Sequence, residues 1–573
     1  MKINKVYIPS HLKKYIVDQD YNSYTSIDHA CWKFILKISI DFFSKNAHSS
    51  YIDGLKKTGV RIDKIPKIET INKKLQKFGW RAVCVRGFIP PNAFMEFQSL
   101  KVLPIASDMR SHKHLTYTPS PDIVHEAAGH APIIANKDYS DYLSHYGEIA
   151  NKAIMSNEDL ELYYAIRDLS DLKENINSKK ETIAESEKNL KKAYKKISYI
   201  SESAYLSRMN WWTVEYGLIG KKNNPQIYGA GLLSSVAESE NCLSDNIKKY
   251  SFDIKCINYK YDITEQQPQL FITPNFKKLT SELKKLSKTM SYKIGGVHGL
   301  TTSLKAKTLC TIEIDKYIEI SGVLVDFSNN NKNIHFIKMD GPCQISINQK
   351  QLLNHGTKHH ATGYSTPIGY LEKINKSINE LNKEELIKYN ITKKAKVNLK
   401  FKQNISVKGI IKNILKRNSK IIIITFKECT VTKNKKIIFN KLWGDYDLIC
   451  GSKITSVYGG AADKNNYYNN ITDDKKYLRY NTKDKKINKK LIDFFDTIDN
   501  LKKTKDINQL YLLYKTIKNK SVDDWLLKYQ FLEITNCNRN IKWIDSIYLD
   551  LYKMSQNNND LGRAIKRGLK LFK

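Results

Sequence analysis

The chain has 573 residues, of which 41% are hydrophobic and 11% are aromatic. This length predicts two to four domains at roughly 100–200 residues each, and the composition excludes a disordered protein. The formal net charge of +37 raises the question of a nucleic-acid partner. Lysine and asparagine are spread along the whole chain without a recognisable nucleic-acid-binding motif. We therefore interpret the charge as a solvated basic surface and expect no nucleic-acid partner.

Nine cysteines are scattered along the chain and none forms a CxxC pair, so neither a zinc finger nor a disulfide framework is predicted. The first residues lack the apolar stretch of a signal peptide, and no run of about 18 apolar residues occurs. We expect a cytoplasmic protein without a membrane partner. The oligomeric state is not predicted, because no clean heptad run closes the chain.

The first hundred residues are predicted to be mostly helical. Residues 32–43 (WKFILKISIDFF) have the apolar density of a buried helix, and residues 65–75 have a proline near the start followed by helical spacing. Residues 80–88 (WRAVCVRGF) alternate like a short strand. Residues 157–205 are rich in Glu, Lys, Asn and Ser and lack Gly and Pro. They predict a charged helical hairpin inserted into the domain, with a coiled-coil partner site as the alternative.

The second half of the chain changes from strands to helices. Residues 318–325, 396–401 and 421–426 are β-rich runs separated by Gly, Asn and Pro turns, and residues 487–573 return to helical spacing. We therefore expect a mainly α domain at 1–294 with the insertion at 157–205, a β-rich module at 295–480 and a helical C-terminal region at 481–573.

Three histidines, His355, His359 and His360, lie close together within the β-rich module. No carboxylate or cysteine accompanies them at ligand spacing. A second metal site is conceivable there, but a role of the module in assembly or stability is the default interpretation.

The densest group of chemically useful side chains is residues 117–132 (YTPSPDIVHEAAGHAP), which place His125, Glu126 and His130 within six residues. Neutral imidazole is the commonest metal ligand among side chains. The zinc-protease HExxH motif has its histidines four apart, whereas here they are five apart. On a straight α-helix this gap leaves the two side chains about 140° apart. We therefore predict that the helix ends between them, with Gly129 and Pro132 supplying that end.

A third ligand is needed for a metal site of this kind. Two histidines and one carboxylate suit Fe(II) and leave coordination positions open for dioxygen and substrate. Glu215, in residues 211–218 (WWTVEYGL), is the best distant candidate. A buried ionised Glu is costly without a metal or an ion pair. The spacing alone leaves open a Glu paired with Arg or Lys, and a zinc hydrolase is disfavoured by the five-residue gap.

Residues 117–132, 211–218 and 228–235 (YGAGLLSS) resemble, in order and context, the pterin-dependent aromatic amino acid hydroxylases, over approximately residues 50–293. The resemblance implies a mainly α catalytic domain that uses Fe(II), tetrahydrobiopterin and molecular oxygen. The expected activity is that of a monooxygenase that hydroxylates the ring of an aromatic amino acid. Oxygen and the amino acid would be its small-molecule partners.

The resemblance also implies roles around the metal. His125, His130 and Glu215 would be the iron ligands. Glu126 would be a catalytic residue in the pterin pocket, and Phe94 would stack on the pterin ring. From its position alone, Phe94 could equally be an ordinary core residue.

The substrate site implied by the resemblance is centred on Arg110, which would bind the substrate carboxylate in a bidentate manner and which Asp122 would orient. The other substrate-binding residues would be Thr118, Pro119, Trp211, Ser234, the last also catalytic, and Ile272. Ile272 aligns with a pocket position that is apolar in phenylalanine hydroxylases, and Trp211 resembles the phenylalanine and tyrosine types. Phenylalanine is therefore the expected substrate, with tyrosine or tryptophan as alternatives. A structural ion pair between Arg110 and Asp122, and a turn or cap role for Ser234, are the non-functional interpretations.

Three residues depart from the family's pattern. Pro104 stands where many members have a histidine on the pterin side, Asn210 where a tyrosine near the iron is usual, and Ser120 where an acidic residue follows Thr-Pro. None replaces an expected iron ligand. The alternative function is therefore an iron-binding relative with impaired catalysis that acts as a binding protein.

Overall fold

The computed structural model describes residues 7–112, 115, 121–174, 178–261, 266–331, 333–469 and 489–572. The helices in these ranges are α1 (Ser10–Lys13), α2 (Ser26–Asn46), α3 (Ser50–Thr58), α4 (Ile68–Leu75), α5 (Pro91–Ser99), π1 (Val124–His130), α6 (Ala131–Ile134), α7 (Lys137–Ala150), α8 (Asn157–Glu174), α9 (Lys180–Lys196), α10 (Glu202–Asn210), π2 (Trp211–Glu215), α11 (Ala230–Ser234), α12 (Val236–Asn241), α13 (Phe276–Ser287), α14 (Ser291–Ile294), α15 (Gly296–Ala306), α16 (Lys383–Lys388), α17 (Lys464–Asn469), α18 (Lys489–Thr504), α19 (Ile507–Asn519), α20 (Trp525–Ile534), α21 (Lys542–Ser555) and α22 (Asp560–Lys570). Within those same ranges, no helix combines the length and the apolar character needed to cross a membrane.

The strands are β1 (Arg81–Val85), β2 (Val102–Ala106), β3 (Leu218–Lys221), β4 (Asn224–Ile227), β5 (Lys248–Ser251), β6 (Gln269–Thr273), β7 (Leu309–Ile314), β8 (Ile318–Asn330), β9 (Asn333–Ile347), β10 (Lys350–Gln351), β11 (Gly363–Pro367), β12 (Lys396–Phe401), β13 (Ile405–Arg417), β14 (Lys420–Lys433), β15 (Lys436–Phe439), β16 (Tyr446–Ile449) and β17 (Ile454–Gly459). The predicted helices at 32–43 and 65–75, the short strand at 80–88 and the β-rich runs of the second half are all confirmed.

Helix α2 is the central helix of the first half. Its start is fixed by a capping box, in which Thr25 Oγ1 accepts from the Asp28 amide and the Asp28 carboxylate accepts from the Thr25 amide. The backbone N–H groups of Thr25 and Asp28, which have no partner within the helix, each gain a hydrogen bond in this way. Beyond the cap, Trp32, Phe34 and Phe43 are buried in the main hydrophobic core. This burial gives α2 its stability, since propensity alone contributes little to a helix in a folded protein.

Two small sheets accompany the helices of the first half. Strands β1 and β2 pair in parallel, and β3 to β6 form a second sheet in the order β4-β3-β6-β5. The residues after β6 build two larger sheets. One contains β7 to β11 together with β17, and the other contains β12 to β16. Their strand pairs are antiparallel, and each sheet has its own hydrophobic cluster.

The C-terminal helices α18 to α22 pack on the first half of the chain rather than forming a separate core. The Phe34 ring of α2 lies 5.1 Å from that of Trp525 and 4.7 Å from that of Tyr529, measured between ring centroids. Arg567 of α22 donates to the carbonyl of Val236, at the start of α12, over 3.0 Å. One hydrophobic cluster therefore joins residues from Ala30 to Met290 with residues from Leu491 to Leu569.

The segment 157–205 contains α8 and α9, which pack against each other. Ion pairs between Lys173 and Glu187 at 2.9 Å and between Lys196 and Glu161 at 2.9 Å join the two helices on their exposed sides. Exposed pairs of this kind contribute little to stability.

Glu533 joins the C-terminal helices to α2 by charge, because its carboxylate accepts from Lys33 Nζ at 2.7 Å and also from Lys37. Burial raises the pKa of Glu533, but the two ammonium groups outweigh it and hold the pKa below the ordinary value. A carboxyl whose pKa is lowered by folding stabilises the protein above its ordinary pKa, and that contribution is lost as pH falls through the folded pKa.

We expect Glu533→Gln to lower the thermal unfolding midpoint at pH 7, by an amount that corresponds to about 1–3 kcal/mol. The deficit relative to wild type should be smaller at pH 4, because this pH lies below the ordinary pKa of a Glu carboxyl and part of the wild-type advantage is already lost there. Differential scanning fluorimetry at both pH values measures it. Glu185→Gln, which changes an exposed residue of α9, is the matched control and should leave the midpoint unchanged. A deficit that grows at acid pH would contradict this account.

Candidate metal centre

The two histidines of residues 117–132 lie on π1, and the expectation that the helix ends between them is wrong. The chain continues through π1 into α6, and the Ala131 amide bonds the Glu126 carbonyl five residues earlier. This i→i+5 pattern defines a π-helix. It places residues five apart on the same face, so His125 and His130 project side by side, with their Nε2 atoms 3.1 Å apart.

Gly129 and Pro132 do not terminate the helix. A Cβ atom on Gly129 would lie 2.8 Å from the carbonyl oxygen of Ala230, so glycine is needed here for the close approach of α11. Pro132 lies just after the junction of π1 and α6 and has no N–H to bond the Ala128 carbonyl. That carbonyl accepts instead from the Tyr51 hydroxyl at 3.0 Å. Both residues are therefore explained by packing and by helix continuation.

Glu215 is the last residue of π2, where the Tyr216 amide bonds the Trp211 carbonyl five residues earlier at 2.8 Å. Its Oε2 lies 3.4 Å from His125 Nε2, and its Oε1 lies 3.4 Å from His130 Nε2. Three donors that are each about 2.0–2.2 Å from one ion would lie roughly 3.0–3.4 Å apart. The triangle observed here therefore fits a single metal ion.

The charges around the triangle favour a cation. Burial raises the pKa of Glu215, but the two imidazoles outweigh it and lower the pKa below the ordinary value. Burial lowers the pKa of His130, but Glu215 outweighs it and raises the pKa to about 9. A proton is thus held between His130 and Glu215, and a divalent cation would replace that proton on binding.

The ring of His125 is oriented by Ser234. The Ser234 hydroxyl donates to the Ala230 carbonyl at 2.8 Å and lies 2.9 Å from His125 Nδ1. With the hydroxyl proton directed at the Ala230 carbonyl, His125 Nδ1 is the donor in the second bond. Burial lowers the pKa of His125 to about 4, so the ring is neutral. Its Nε2 lone pair therefore faces Glu215 and His130, which is the tautomer that a metal requires.

A buried ion pair underlies the triangle. Arg110 Nε donates to Asp122 Oδ2 at 2.7 Å and Nη2 donates to Oδ1 at 2.9 Å. Arg110 Nη1 donates to the Ser234 carbonyl at 3.0 Å, and Asp122 Oδ1 also accepts from the His125 amide at 3.0 Å. Although burial raises the pKa of Asp122, Arg110 outweighs it and holds the pKa below the ordinary value. The pair therefore fixes the backbone of both π1 and α11.

The contacts of Arg110 differ from the expected free bidentate face. With the Leu115 carbonyl as a further acceptor at 3.4 Å, the partners within the described part of the chain leave one Nη2 N–H for a ligand. The Nε–Nη2 edge of the guanidinium, which could bind a carboxylate through two hydrogen bonds, is directed at Asp122 rather than at the cavity.

The triangle lies in the wall of a cavity of about 410 Å³. Glu126 lines the cavity, and its Oε2 is buried without a hydrogen-bond partner among the described residues, 3.9 Å from His130 Nε2. Burial raises the pKa of this carboxyl to about 8. Trp211 is stacked between Tyr216 and Tyr261, with ring centroids 4.6 and 4.4 Å away. A flat, apolar wall thus faces a small number of polar groups, as in typical small-molecule sites.

Most of the predicted site residues meet at this cavity, namely Phe94, Arg110, His125, Glu126, His130, Trp211, Glu215 and Ser234. Asp122 lies behind Arg110. Pro104 and Asn210, the two departures from the family pattern, also line the cavity. Ile272 is not among the described lining residues. It lies in β6, where it is buried and pairs with Leu218 of β3. Thr118, Pro119 and Ser120 lie outside the described residues.

Four lining tyrosines were not predicted from the sequence, and one of them is the buried Tyr146 of α7. Tyr216 and Tyr261 enclose Trp211, and Tyr163 reaches the cavity from α8 of the inserted hairpin. The only sequence indication was the position of Tyr216 next to Glu215. The contribution of Tyr163 means that the hairpin is part of the cavity wall as well as a solvated insertion.

Comparison with known proteins gives a family for the residues that form this site. The sequence model of the biopterin-dependent aromatic amino acid hydroxylases matches residues 13–164 and 196–305. These residues belong to that family. The gap at 165–195 falls within α8 and α9, so most of the hairpin is an addition to the hydroxylase domain. The residues after 305 are outside the match.

The chain is 27% identical over 264 residues to a phenylalanine-4-hydroxylase of Pseudomonas aeruginosa. The aligned region covers 46% of this chain and 84% of the relative. The chain is 28% identical over 268 residues to a phenylalanine-4-hydroxylase of Chromobacterium violaceum. This alignment covers 46% of this chain and 75% of the relative. A crystal structure of phenylalanine hydroxylase from Chromobacterium violaceum with iron(III) and 7,8-dihydrobiopterin aligns with a TM-score of 0.38 and 26% identity, over 49% of this chain and 92% of that one.

The role of Ser234 in orienting His125 is testable in the hydroxylase domain. We expect Ser234→Ala to weaken Fe²⁺ binding about 10–100-fold, because the Nδ1 partner that fixes the ring is lost. Competition with a chelator under anaerobic conditions measures the affinity. Ser287→Ala is a matched control, since Ser287 is also buried and bonds a carbonyl of its own helix at 2.9 Å. Equal affinities for the two variants and wild type would refute the role.

Proposed function

We propose that the protein is an iron- and tetrahydrobiopterin-dependent monooxygenase that hydroxylates the ring of an aromatic amino acid, with phenylalanine as its substrate. The observation that carries the proposal is the triangle of two imidazoles and one carboxylate in the wall of a mixed apolar and polar cavity. The membership of this domain in the aromatic amino acid hydroxylase family supports the reaction class.

We assign His125, His130 and Glu215 as the ligands of Fe(II). Two histidines and one carboxylate on one side of the ion form the facial arrangement used by non-haem Fe(II) oxygenases. The spacing of the donors, 3.1 to 3.4 Å, supports this assignment. The ion's remaining positions would face the cavity, where dioxygen and the organic molecules have access.

We assign Glu126 and Phe94 to the pterin. A buried carboxylate oxygen without a partner is unfavourable, and the N–H groups of a pterin ring would satisfy Glu126 Oε2. Phe94, on α5, lines the same cavity and offers a ring face for stacking on a flat heterocycle. Both residues act by holding the pterin close to the iron ligands.

We assign the substrate to the part of the cavity between Arg110 and Trp211. The free Nη2 N–H of Arg110 would donate one charge-assisted hydrogen bond to the substrate carboxylate, while Asp122 holds the guanidinium in place. The stack of Trp211 between Tyr216 and Tyr261 offers a rigid apolar wall for an aromatic ring. Ser234 contributes through His125 and through its carbonyl, which accepts from Arg110. Thr118 and Pro119 stay predictions for this site.

When bound, iron and tetrahydrobiopterin supply the oxidising chemistry that places one oxygen atom on the aromatic ring. The protein's own residues supply positioning. Ser234 and Asp122 fix His125, Arg110 orients the amino acid, and the aromatic wall excludes water from the cavity. Holding the reacting groups in one geometry removes much of the entropic barrier to their reaction.

Phenylalanine is favoured because the relatives described above are named phenylalanine-4-hydroxylases. Trp211 in the cavity wall agrees with a substrate of the phenylalanine or tyrosine type. Ile272, which is not among the described lining residues of the cavity, stays a prediction for the substrate pocket. Competition between phenylalanine, tyrosine and tryptophan in one assay would rank the three substrates.

We further infer that the catalytic domain at 1–294 is mainly α, that the β-rich module occupies 295–480 and that the helical region at 481–573 completes the catalytic domain's core. The shared hydrophobic cluster supports the last point. A cytoplasmic location is also proposed, and the nine free thiols, eight of them buried, agree with a reducing compartment.

Anaerobic reconstitution with Fe(II), followed by a hydroxylation assay with tetrahydrobiopterin and oxygen, tests the function. We expect wild type to form tyrosine from phenylalanine, and Glu215→Gln and His130→Ala to lose product formation by at least about 100-fold, because each removes an iron ligand. Glu148→Gln, an exposed residue of α7, should retain activity. Iron-loaded wild type without product from any of the three amino acids would refute the proposal and would favour an iron-binding relative with impaired catalysis.

The pterin assignment makes a separate prediction. Glu126→Gln should raise the KM for tetrahydrobiopterin about tenfold, the effect of losing a hydrogen bond worth about 1.4 kcal/mol, while the iron content stays at the wild-type value. Steady-state kinetics and metal analysis measure the two quantities. Loss of iron in this variant would instead make Glu126 part of the metal site.

A further inference from the structure

We propose that the β-rich module contains a second metal site, in which His355, His359, His360 and Asp447 bind one divalent transition-metal ion, with Zn²⁺ as the best match. The three histidines lie in the loop between β10 and β11, and Asp447 lies on β16 of the other large sheet. The site does not depend on the proposed hydroxylase function, because it shares no residue with the iron triangle.

The geometry of the four donors fits one ion. Asp447 Oδ2 lies 3.2 Å from His359 Nε2, 3.6 Å from His355 Nδ1 and 4.0 Å from His360 Nε2. His355 Nδ1 and His360 Nε2 are 3.4 Å apart, and all four donor atoms lie within 4.8 Å of one another. A tetrahedral ion with bonds of about 2.0–2.1 Å would hold its ligands roughly 3.4 Å apart. Small side-chain movements would therefore complete the tetrahedron.

The charge balance of the cluster also calls for a cation. The side chain of Asp447 is only 2% exposed, and within the described ranges its ion-pair partners are the three imidazoles. A buried carboxylate is costly unless a positive charge accompanies it. A bound dication would supply that charge.

The backbone holds the ligands in place before any ion binds. The His355 carbonyl accepts from the Ile345 amide at 2.9 Å, and the His360 carbonyl accepts from the Cys343 amide at 2.9 Å. Both contacts attach the histidine loop to β9. Ligands that are fixed in this way lose little conformational freedom on binding an ion.

Asp447 is held from its other side. Its Oδ1 accepts from Thr425 Oγ1 at 2.7 Å, and its carbonyl accepts from the Tyr364 hydroxyl at 2.7 Å. The Tyr364 ring also packs edge-on against His360, with centroids 5.1 Å apart. Hydrogen bonds from outside the ligand set are the usual means of orienting a ligating carboxylate.

The donor set selects the class of ion and its role. Imidazole nitrogen favours Zn²⁺ and its first-row neighbours, whereas Ca²⁺ and Mg²⁺ prefer oxygen ligands. Four protein donors close a tetrahedral site, which is the pattern of structural zinc rather than of catalytic zinc. Since the loop belongs to one sheet and Asp447 to the other, the ion would fasten the two sheets together. His359, with its side chain 46% exposed, provides the route from solvent.

The test uses the 573-residue chain in which His130→Ala and Glu215→Gln have removed the iron triangle, so that only the second site remains. After treatment with a chelator, the chain is dialysed against Zn²⁺ and its metal content is measured by mass spectrometry. We expect about one Zn²⁺ per chain and a thermal unfolding midpoint that rises with Zn²⁺ concentration, because the ion binds the folded state.

His359→Gln in the same background should lose the bound Zn²⁺ and the rise in the midpoint. This side chain is half exposed, so its replacement leaves the fold intact. His298→Gln is the matched control, since His298 is an exposed histidine of α15 and should leave both readouts unchanged. Asp447→Asn gives a second test through the buried ligand. Zn²⁺ uptake that is absent, or that is equal with and without His359, would overturn the proposal.

Discussion

The wide turn of two π-helices is the constraint on which the metal centre depends. In π1 it aligns side chains five residues apart, so that His125 and His130 face the same point, and in π2 it presents Glu215 toward them. A regular α-helix would separate the histidines by about 140°. The π-turn is less favourable than the α-turn and therefore needs compensation from its surroundings.

That compensation comes from a buried polar network. Asp122 bonds the His125 amide at the start of π1, and Arg110 joins Asp122 to the carbonyl of Ser234. Ser234 in turn bonds the His125 ring. The ion pair between Arg110 and Asp122 is thus structural as well as a candidate for substrate binding. Removing either partner would leave a buried charge without compensation, which is strongly destabilising.

The sequence predicted the element types and the residues of the candidate site better than it predicted their geometry. Local spacing was sufficient for α2, α4, β1 and the strands of the second half. The path between His125 and His130 was predicted wrongly, because periodicity assumes 3.6 residues per turn and cannot anticipate a π-turn. Ile272 stays a prediction, because it pairs with Leu218 in the sheet of β3 to β6 and is not among the described lining residues of the cavity.

The sequence also failed to predict contacts between residues that are distant along the chain. The cluster at His355, His359 and His360 seemed to lack a carboxylate, because Asp447 is 88 residues beyond His359. Tyr261 and Tyr163 reach the cavity through tertiary packing alone. Such residues become visible only when the pairing of β14 with β16, or the packing of an inserted hairpin, is known.

The shared core of α2 and the C-terminal helices has a consequence for how the chain folds. Lys33 and Glu533 form an ion pair although 500 residues of sequence separate them. The ring of Phe34 likewise packs against Trp525 and Tyr529, which are synthesised much later. During synthesis, the whole β-rich module is made before helices α18 to α22, which cover the apolar surface of the hydroxylase domain. Contacts of such long sequence separation slow folding and prolong the exposure of apolar surface. The family-matched segment is therefore synthesised well before the C-terminal helices that complete its core.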